Sequence, residues 1–300
     1  MRYSILLLPV AALGLLASCG DNPTSSDAST TTIATPGTGA VDTGPTSTVA
    51  GLPKPEVKIP ATIPTELVVT DITEGTGPAA VDGDTVVVHY VGVRSADGTE
   101  FDSSYDRGAP FPVTLGVGQV IKGWDQGLVG VKTGGRRQLD IPADLAYGDT
   151  PQGDIIQPGD ALSFVIDVVT IVPKSDPADA PVISIPPTPN QPEQTFTDLV
   201  VGDGAGIEPG QTVTVQLLAF SAADGKLLDS SWESGTPLSF RPGAGQLPPG
   251  LEKAVDGMKV GGRRQVTIPF ADAFGEAGNE NLGLPASTDL IMVLDLIAVY

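Results

Sequence analysis

The stretch FDSSYDRG, Phe101–Gly108, returns as LDSSWESG, Leu228–Gly235, and 228 − 101 = 127. The same spacing carries GGRRQ from Gly134 onto Gly261, and TVVVHYVGV at Thr85 onto TVTVQLLAF at Thr212. A period this long is not that of a solenoid and marks tandem domains. In each copy β-branched runs are bounded by Asp-Gly, at Asp97-Gly98 and Asp224-Gly225, which reads as antiparallel strands joined by tight turns. RRQLDIP at Arg136, RRQVTIP at Arg263, and the closing runs ALSFVIDVVTI and DLIMVLDLIAVY supply further strands. One short helix per copy is expected where Trp124 and Leu128, and then Leu251, Val255 and Met258, recur at helical spacing. Gly130 and Gly257 are the expected C-terminal caps, and the GGRR turns are expected to be solvated hairpin loops. One helix against a mostly antiparallel sheet is an α+β architecture.

The chain of 300 residues carries a formal net charge of −20. It lacks the clustered Lys and Arg that nucleic acid or anionic lipid would require, so no nucleic-acid partner is expected. A single cysteine allows no internal disulfide, and a single histidine no His-rich metal site. Arg2, the apolar run Ile5–Ala17 and LASC at Leu16–Cys19 are too short to span a bilayer core of about 30 Å but suit a secretory signal. LASC resembles the bacterial lipobox, in which the cysteine is lipidated and becomes the mature first residue. The expectation is therefore a signal peptide over 1–18 and a lipid on Cys19 that holds an extracytoplasmic protein to the bacterial membrane. Residues 19–59 are rich in Thr, Ser, Gly and Pro without apolar period, and read as a disordered tether with a reach of roughly 35 Å. Domains are expected over 60–173 and 193–300, with 174–192 a semi-rigid Pro-rich spacer.

Conventional catalytic motifs are missing. GDGAG at Gly202 and GVGQV at Gly116 have neither the Lys-Ser/Thr ending of a phosphate loop nor a full dinucleotide fingerprint, and read as turns. His89 reads as a structural, hydrogen-bonded histidine. No nucleophile elbow or metal-ligand cluster appears, so no cofactor is expected.

Aromatic residues make up only 5% of the chain, yet Tyr90, Phe101, Phe111, Trp124, Tyr147 and Phe164 all fall in the first copy. Phe101 stands beside Asp102, and Tyr147 lies in the polar loop AYGDTPQGD, places suited to lining a cavity. VHYVG, FDSSYDRG, PFPVTLG, VIKGWDQGL, AYG, and II followed by QPGDALSF stand in the order and spacing of an FKBP-type peptidyl-prolyl cis–trans isomerase, the macrolide-binding immunophilins. The first domain resembles that family over its whole length, and the second resembles it more weakly through the repeat. The resemblance implies a bent antiparallel sheet wrapped around one short helix, isomerisation of X-Pro bonds in polypeptides, and inhibition by macrolides. It also implies a proline pocket walled by Tyr90, Phe101, Phe111, Val120, Ile121 and Phe164, with Trp124 as floor and Ile155 or Ile156 on the rim. The Ile121 N–H and the Tyr147 hydroxyl would donate to substrate carbonyls. Asp102 would form a polar edge held by donors such as Arg107, and Gln152 takes a rim position that is often His in the family.

In the second copy the corresponding residues are Leu217, Leu228, Leu238, Leu251 and Phe274, with Pro248 in place of Ile121 and Ser234 in place of Arg107. Pro248 has no N–H to donate. Asp229 is retained. The expectation is a folded but catalytically weak domain. The alternative for the whole chain is a non-catalytic or chaperone-type surface lipoprotein that binds partner polypeptides.

Overall fold

A computed structural model describes residues 53–300. The expected signal segment, Cys19 and most of the tether lie outside the described residues. In the first domain the elements are β1 (Val68–Thr73), β2 (Thr85–Arg94), β3 (Glu100–Ser103), α1 (Ser104–Arg107), β4 (Phe111–Thr114), α2 (Lys122–Gly127), β5 (Arg136–Ile141) and β6 (Leu162–Val172). The second repeats them as β7 (Thr195–Val200), β8 (Val213–Ser221), β9 (Leu227–Ser230), α3 (Ser231–Ser234), β10 (Leu238–Phe240), α4 (Pro249–Lys253), β11 (Arg263–Ile268) and β12 (Leu290–Val299). Each set forms one antiparallel sheet, the first in the order β1-β5-β6-β2-β3 with β4 also on β2. These are α+β domains in tandem, as the periodicity implies.

Strand alternation builds the core. Val86, Val88 and Tyr90 of β2 and Phe164, Ile166 and Val168 of β6 share one buried cluster with Trp124 of α2 and the adjoining Leu128. The ladder slips between Gly92 and Val93 opposite β3, and between Ala219 and Phe220 opposite β9. Such a bulge lets consecutive residues share one side of a sheet, which brings both Phe101 and Asp102 to the core face.

The arginine turns differ from expectation. Arg137 and Arg264 are buried rather than solvated. Arg137 Nη1 donates to the carbonyls of Gly127 (2.8 Å) and Val129 (2.9 Å), and Arg264 Nη1 to those of Ala254 (3.2 Å) and Asp256 (2.7 Å). Each guanidinium thus satisfies carbonyls left over where its helix stops, and its other edge meets Asp71 or Asp198. Gly130 and Gly257 do take left-handed φ values of 85° and 72°. They lie beyond the helix ends, however, and the Gly130 N–H goes to the Ala80 carbonyl, so the arginines do the capping. Both helices are shorter than the apolar spacing suggests, and Val255 and Met258 join the core from the turn after α4. His89 is satisfied, with its Nδ1 3.0 Å from Ser104 Oγ.

The repeat also extends further than expected. PEVKIP at Pro55–Pro60 and PVISIP at Pro181–Pro186 correspond at 181 − 55 = 126. Each is an extended strap across the outer face of its own domain, with Ile59 over Gly98 and Ile185 over Gly225. The second strap is held by apolar burial, Ile185 packing with Leu218, Phe220, Trp232, Ile291 and Val293. The first is held by polar contacts. The Lys58 carbonyl accepts from Gln138 Nε2 (2.7 Å), and Lys54 pairs with Glu100 (2.7 Å) and Asp106 (2.8 Å). The face beneath differs accordingly, since Ala222 and Ile291 stand where the first domain has Ser95 and Ser163. The last residues of the expected tether and the middle of the expected spacer are therefore packed chain. Alternate side chains of a proline-rich extended segment suffice to grip a sheet.

Candidate active site

The inner side of β2, β3, β4 and β6 and the start of α2 bring Tyr90, Phe101, Phe111, Phe164 and Trp124 into one aromatic bowl. Trp124 is its floor, 4% exposed, with ring centroids 5.1 Å from Tyr90 and 5.3 Å from Phe164, both edge to face. Phe101 stands edge to face on Phe164 at 5.6 Å. Phe111 meets Tyr90 at 6.0 Å and stays 39% exposed, as a rim residue should. Offset edge contacts of this kind favour a fixed, preformed wall. The Trp124 Nε1 is buried without a hydrogen-bond partner among the described residues.

Gly92 decides whether this wall can exist. A Cβ there would lie 2.7 Å from Phe164 Cε1 and 2.8 Å from Phe101 Cζ. The second domain has Ala219 at that place, with Leu228 and Met292 for the two rings. Sequence reasoning missed this coupling because the two rings reach Gly92 from different strands.

Val120 and Ile121 are partly buried against the same cluster. Ile121 precedes α2 with φ −58° and ψ 147°; its carbonyl accepts from Trp124 and Asp125, and its own N–H is given to no group among the described residues. Ile156 is buried in the cluster through its bridge with Gln152, whereas Ile155 is 39% exposed and outside it. Of the two expected rim positions, Ile156 packs with the aromatic cluster and Ile155 stands exposed beside it in sequence. Tyr147 is 38% exposed, and burial of its hydroxyl, then the charge of Asp102, raises its pKa above 10.0. It remains a neutral donor over the physiological range.

Asp102 closes the polar edge. The Tyr90 hydroxyl and Arg107 Nη1 both donate to its carboxylate, and Arg107 Nη2 donates to the Tyr90 oxygen at 2.7 Å. Burial, and then the hydrogen bond to Asp102, push the Tyr90 pKa up to about 12. The triad is thus a tyrosine, a carboxylate and a guanidinium whose charges cancel. Asp125 accepts from the N–H groups of Gly116 and Gly118, 3.1 Å each, and fixes the loop that leads to Ile121.

In the second domain Leu217, Leu228, Leu238, Leu251 and Phe274 pack into the corresponding cluster. Pro248 stands at the helix start. Glu252, one methylene longer than Asp125, accepts from four N–H groups, those of Gly243, Gly245, Gln246 and Leu247. Among the described residues there is no His/Cys/Asp/Glu group able to hold a metal.

Two stretches, 77–169 and 204–297, match the model of a family described as FKBP-type peptidyl-prolyl cis-trans isomerase. An FK506-binding protein of Streptomyces anulatus is 55% identical over 120 residues, covering 39% of this chain and 97% of that protein. An FK506-binding protein of Neisseria meningitidis serogroup A is 47% identical over 105 residues, covering 35% of this chain and 95% of its own. A human peptidyl-prolyl cis-trans isomerase, FKBP10, is 34% identical over 216 residues, covering 72% of this chain and 34% of its own.

Proposed function

The chain belongs to the FKBP-type peptidyl-prolyl cis–trans isomerase family through both of its domains, and from that premise we propose that the first domain is the active one. The observation that carries this reading is the difference between the bowls. The first has an aromatic wall and two donors without a partner among the described residues, the Ile121 N–H and the Tyr147 hydroxyl. The second has aliphatic walls, Pro248 and Phe274.

The chemistry needs no nucleophile. An X-Pro bond rotates slowly because twisting breaks amide resonance, with a barrier of roughly 18–20 kcal/mol. The planar amide is more dipolar than the twisted one, so an apolar bowl over Trp124 disfavours the ground state more than the transition state. The proline ring sits on the floor, while Ile121 and Tyr147 hold flanking carbonyls in a geometry that suits the twisted bond. The Tyr90–Asp102–Arg107 triad fixes the wall without placing a net charge against the substrate. Macrolides of the FK506 kind, which name the relatives, are the expected inhibitors.

The substrates are proline-containing segments of exported proteins, reached from a lipid anchor on Cys19. In this reading the lipid on Cys19 makes the membrane attachment; among the described residues no helix is long and apolar enough to cross a membrane. The test is X-Pro exchange of a short peptide, followed by NMR, for wild type and for Phe101→Ala with Tyr147→Phe. A drop of roughly tenfold or more is expected, and an unchanged rate in the double variant sinks the assignment.

A further inference from the structure

The second bowl has kept its carboxylate and lost what neutralised it. Asp102 is met by a tyrosine hydroxyl and a guanidinium. At the equivalent Asp229, the tyrosine has become Leu217 and the arginine Ser234. No Lys, Arg or His nitrogen lies within 4.0 Å of the Asp229 carboxylate among the described residues. The position is partly buried on the bulged strand β9, paired with Ala219 and flanked by Leu228. Burial, opposed by a hydrogen bond from the Ser230 backbone N–H and assisted by the like charge of Glu233, holds its pKa above 3.8.

The donors have gone as well. Pro248 has no N–H, Phe274 no hydroxyl, and Glu252 consumes the N–H groups of Gln246 and Leu247 just before Pro248. The first bowl offers donors to a ligand that brings carbonyl oxygens. The second offers one acceptor of negative charge inside an aliphatic surface, so its polarity is reversed. A half-desolvated carboxylate in apolar surroundings gains most from a ligand that supplies a charged donor.

We infer that the second domain is a binding site for extended polypeptide segments in which an arginine or lysine sits among apolar residues, the cation pairing with Asp229 and the apolar residues covering Leu217, Leu228 and Phe274. The occupant is specified by charge complementarity, the missing Arg107 being supplied by the ligand. The inference rests on the donor-poor second bowl of the reading above.

The test uses the full chain and fluorescein-labelled, proline-free peptides, Ala-Leu-Leu-Arg-Leu-Ala and its citrulline counterpart, with fluorescence anisotropy as readout. Wild type is expected to bind the arginine peptide about tenfold more tightly, the preference of one charge-assisted hydrogen bond. Asp229→Asn should abolish the preference. Ser234→Arg, which restores an internal cation, should abolish it independently while the aliphatic bowl stays intact. Equal affinity for the two peptides in wild type, binding of neither, or a preference that survives both variants overturns the inference. X-Pro exchange by the chain carrying Phe101→Ala and Tyr147→Phe reports separately on whether the second bowl catalyses, so the two readings fail independently.

Discussion

Substituting Gly92 by alanine tests the aromatic bowl at the point where the structure constrains it most. The new methyl group would meet Phe164 Cε1 at 2.7 Å and Phe101 Cζ at 2.8 Å. Ordinary contact begins near 3.5 Å, so both rings must give way, each by about 0.7–0.8 Å. Phe101 is only partly buried and can turn aside, but Phe164 is 4% exposed and held on Trp124, so its share of the clash strains the core. Overpacking of this kind costs about 1–3 kcal/mol. That should appear in urea unfolding of the full chain as loss of the first domain's transition at lower denaturant. The rate should suffer more than the stability, because displacing a pocket wall by nearly an ångström misplaces the substrate, by roughly ten- to a hundredfold in kcat/KM. The second domain suggests a rescue. Gly92→Ala combined with Phe101→Leu and Phe164→Met reproduces the Ala219, Leu228 and Met292 arrangement and should recover stability to within about 1 kcal/mol. It should not recover the rate. Gly92→Ala with wild-type stability and exchange rate would refute the close approach of the two rings as the condition for the site.

Asp229→Asn should stabilise the second domain near neutral pH. Because the folded-state pKa is raised above 3.8, the native state holds its proton to higher pH than the unfolded chain, and stability falls as pH rises through that window. The variant escapes the penalty, so its advantage in urea unfolding should be absent well below pH 3.8 and grow as the pH rises above it; an advantage that grows on acidification contradicts the assignment. Ile185→Ala should destabilise the second domain by about 2 kcal/mol, seen in its thermal unfolding, because Ile185 is the strap's buried side chain, 7% exposed. For the same reason a fragment beginning at residue 193 should bind a hydrophobic dye that one beginning at 175 does not. Cys19→Ala should move the protein from the membrane fraction to the soluble one, and unchanged retention would remove the lipid anchor from the account.

Most of the fold was legible because it is local and periodic. The alternation in TVVVHYVGV and TVTVQLLAF, with Asp-Gly turns after them, specifies strands without reference to anything distant. The buried arginines were not legible. GGRR reads as a turn, and what buries Arg137 is Asp71, 66 residues earlier, together with a helix end whose position the sequence only approximates. The straps escaped because composition averages over a window, and three alternate side chains of a Pro-rich segment do not change that average. Their spacing of 126 also falls out of step with the 127 of the domains. At the site, the aromatic identities were visible as a concentration in a chain poor in them. The dependence of that wall on Gly92, and the withdrawal of two N–H groups by Glu252, exist only once strands and loops from separate parts of the sequence are side by side.

The straps also decide where force enters the molecule. A chain held at its N-terminal end and tugged by a client in the pocket loads the first strap, whose Lys54 pairs with Glu100 and Asp106 on either side of Phe101 and Asp102, and whose Lys58 carbonyl accepts from Gln138 of β5. β3, which carries both Glu100 and Phe101, is an edge strand of the sheet, and β5 lies inside it. The first contacts to part would be the exposed pairs of Lys54 with Glu100 and Asp106, because water and salt screen such pairs, and next the bond between Gln138 and the Lys58 carbonyl. Once these part, several residues of the strap are freed and the load passes from β3, which carries Phe101, to the chain leading into β1. The first strap is in this sense a mechanical fuse, and the second, held by buried isoleucine, is a rivet.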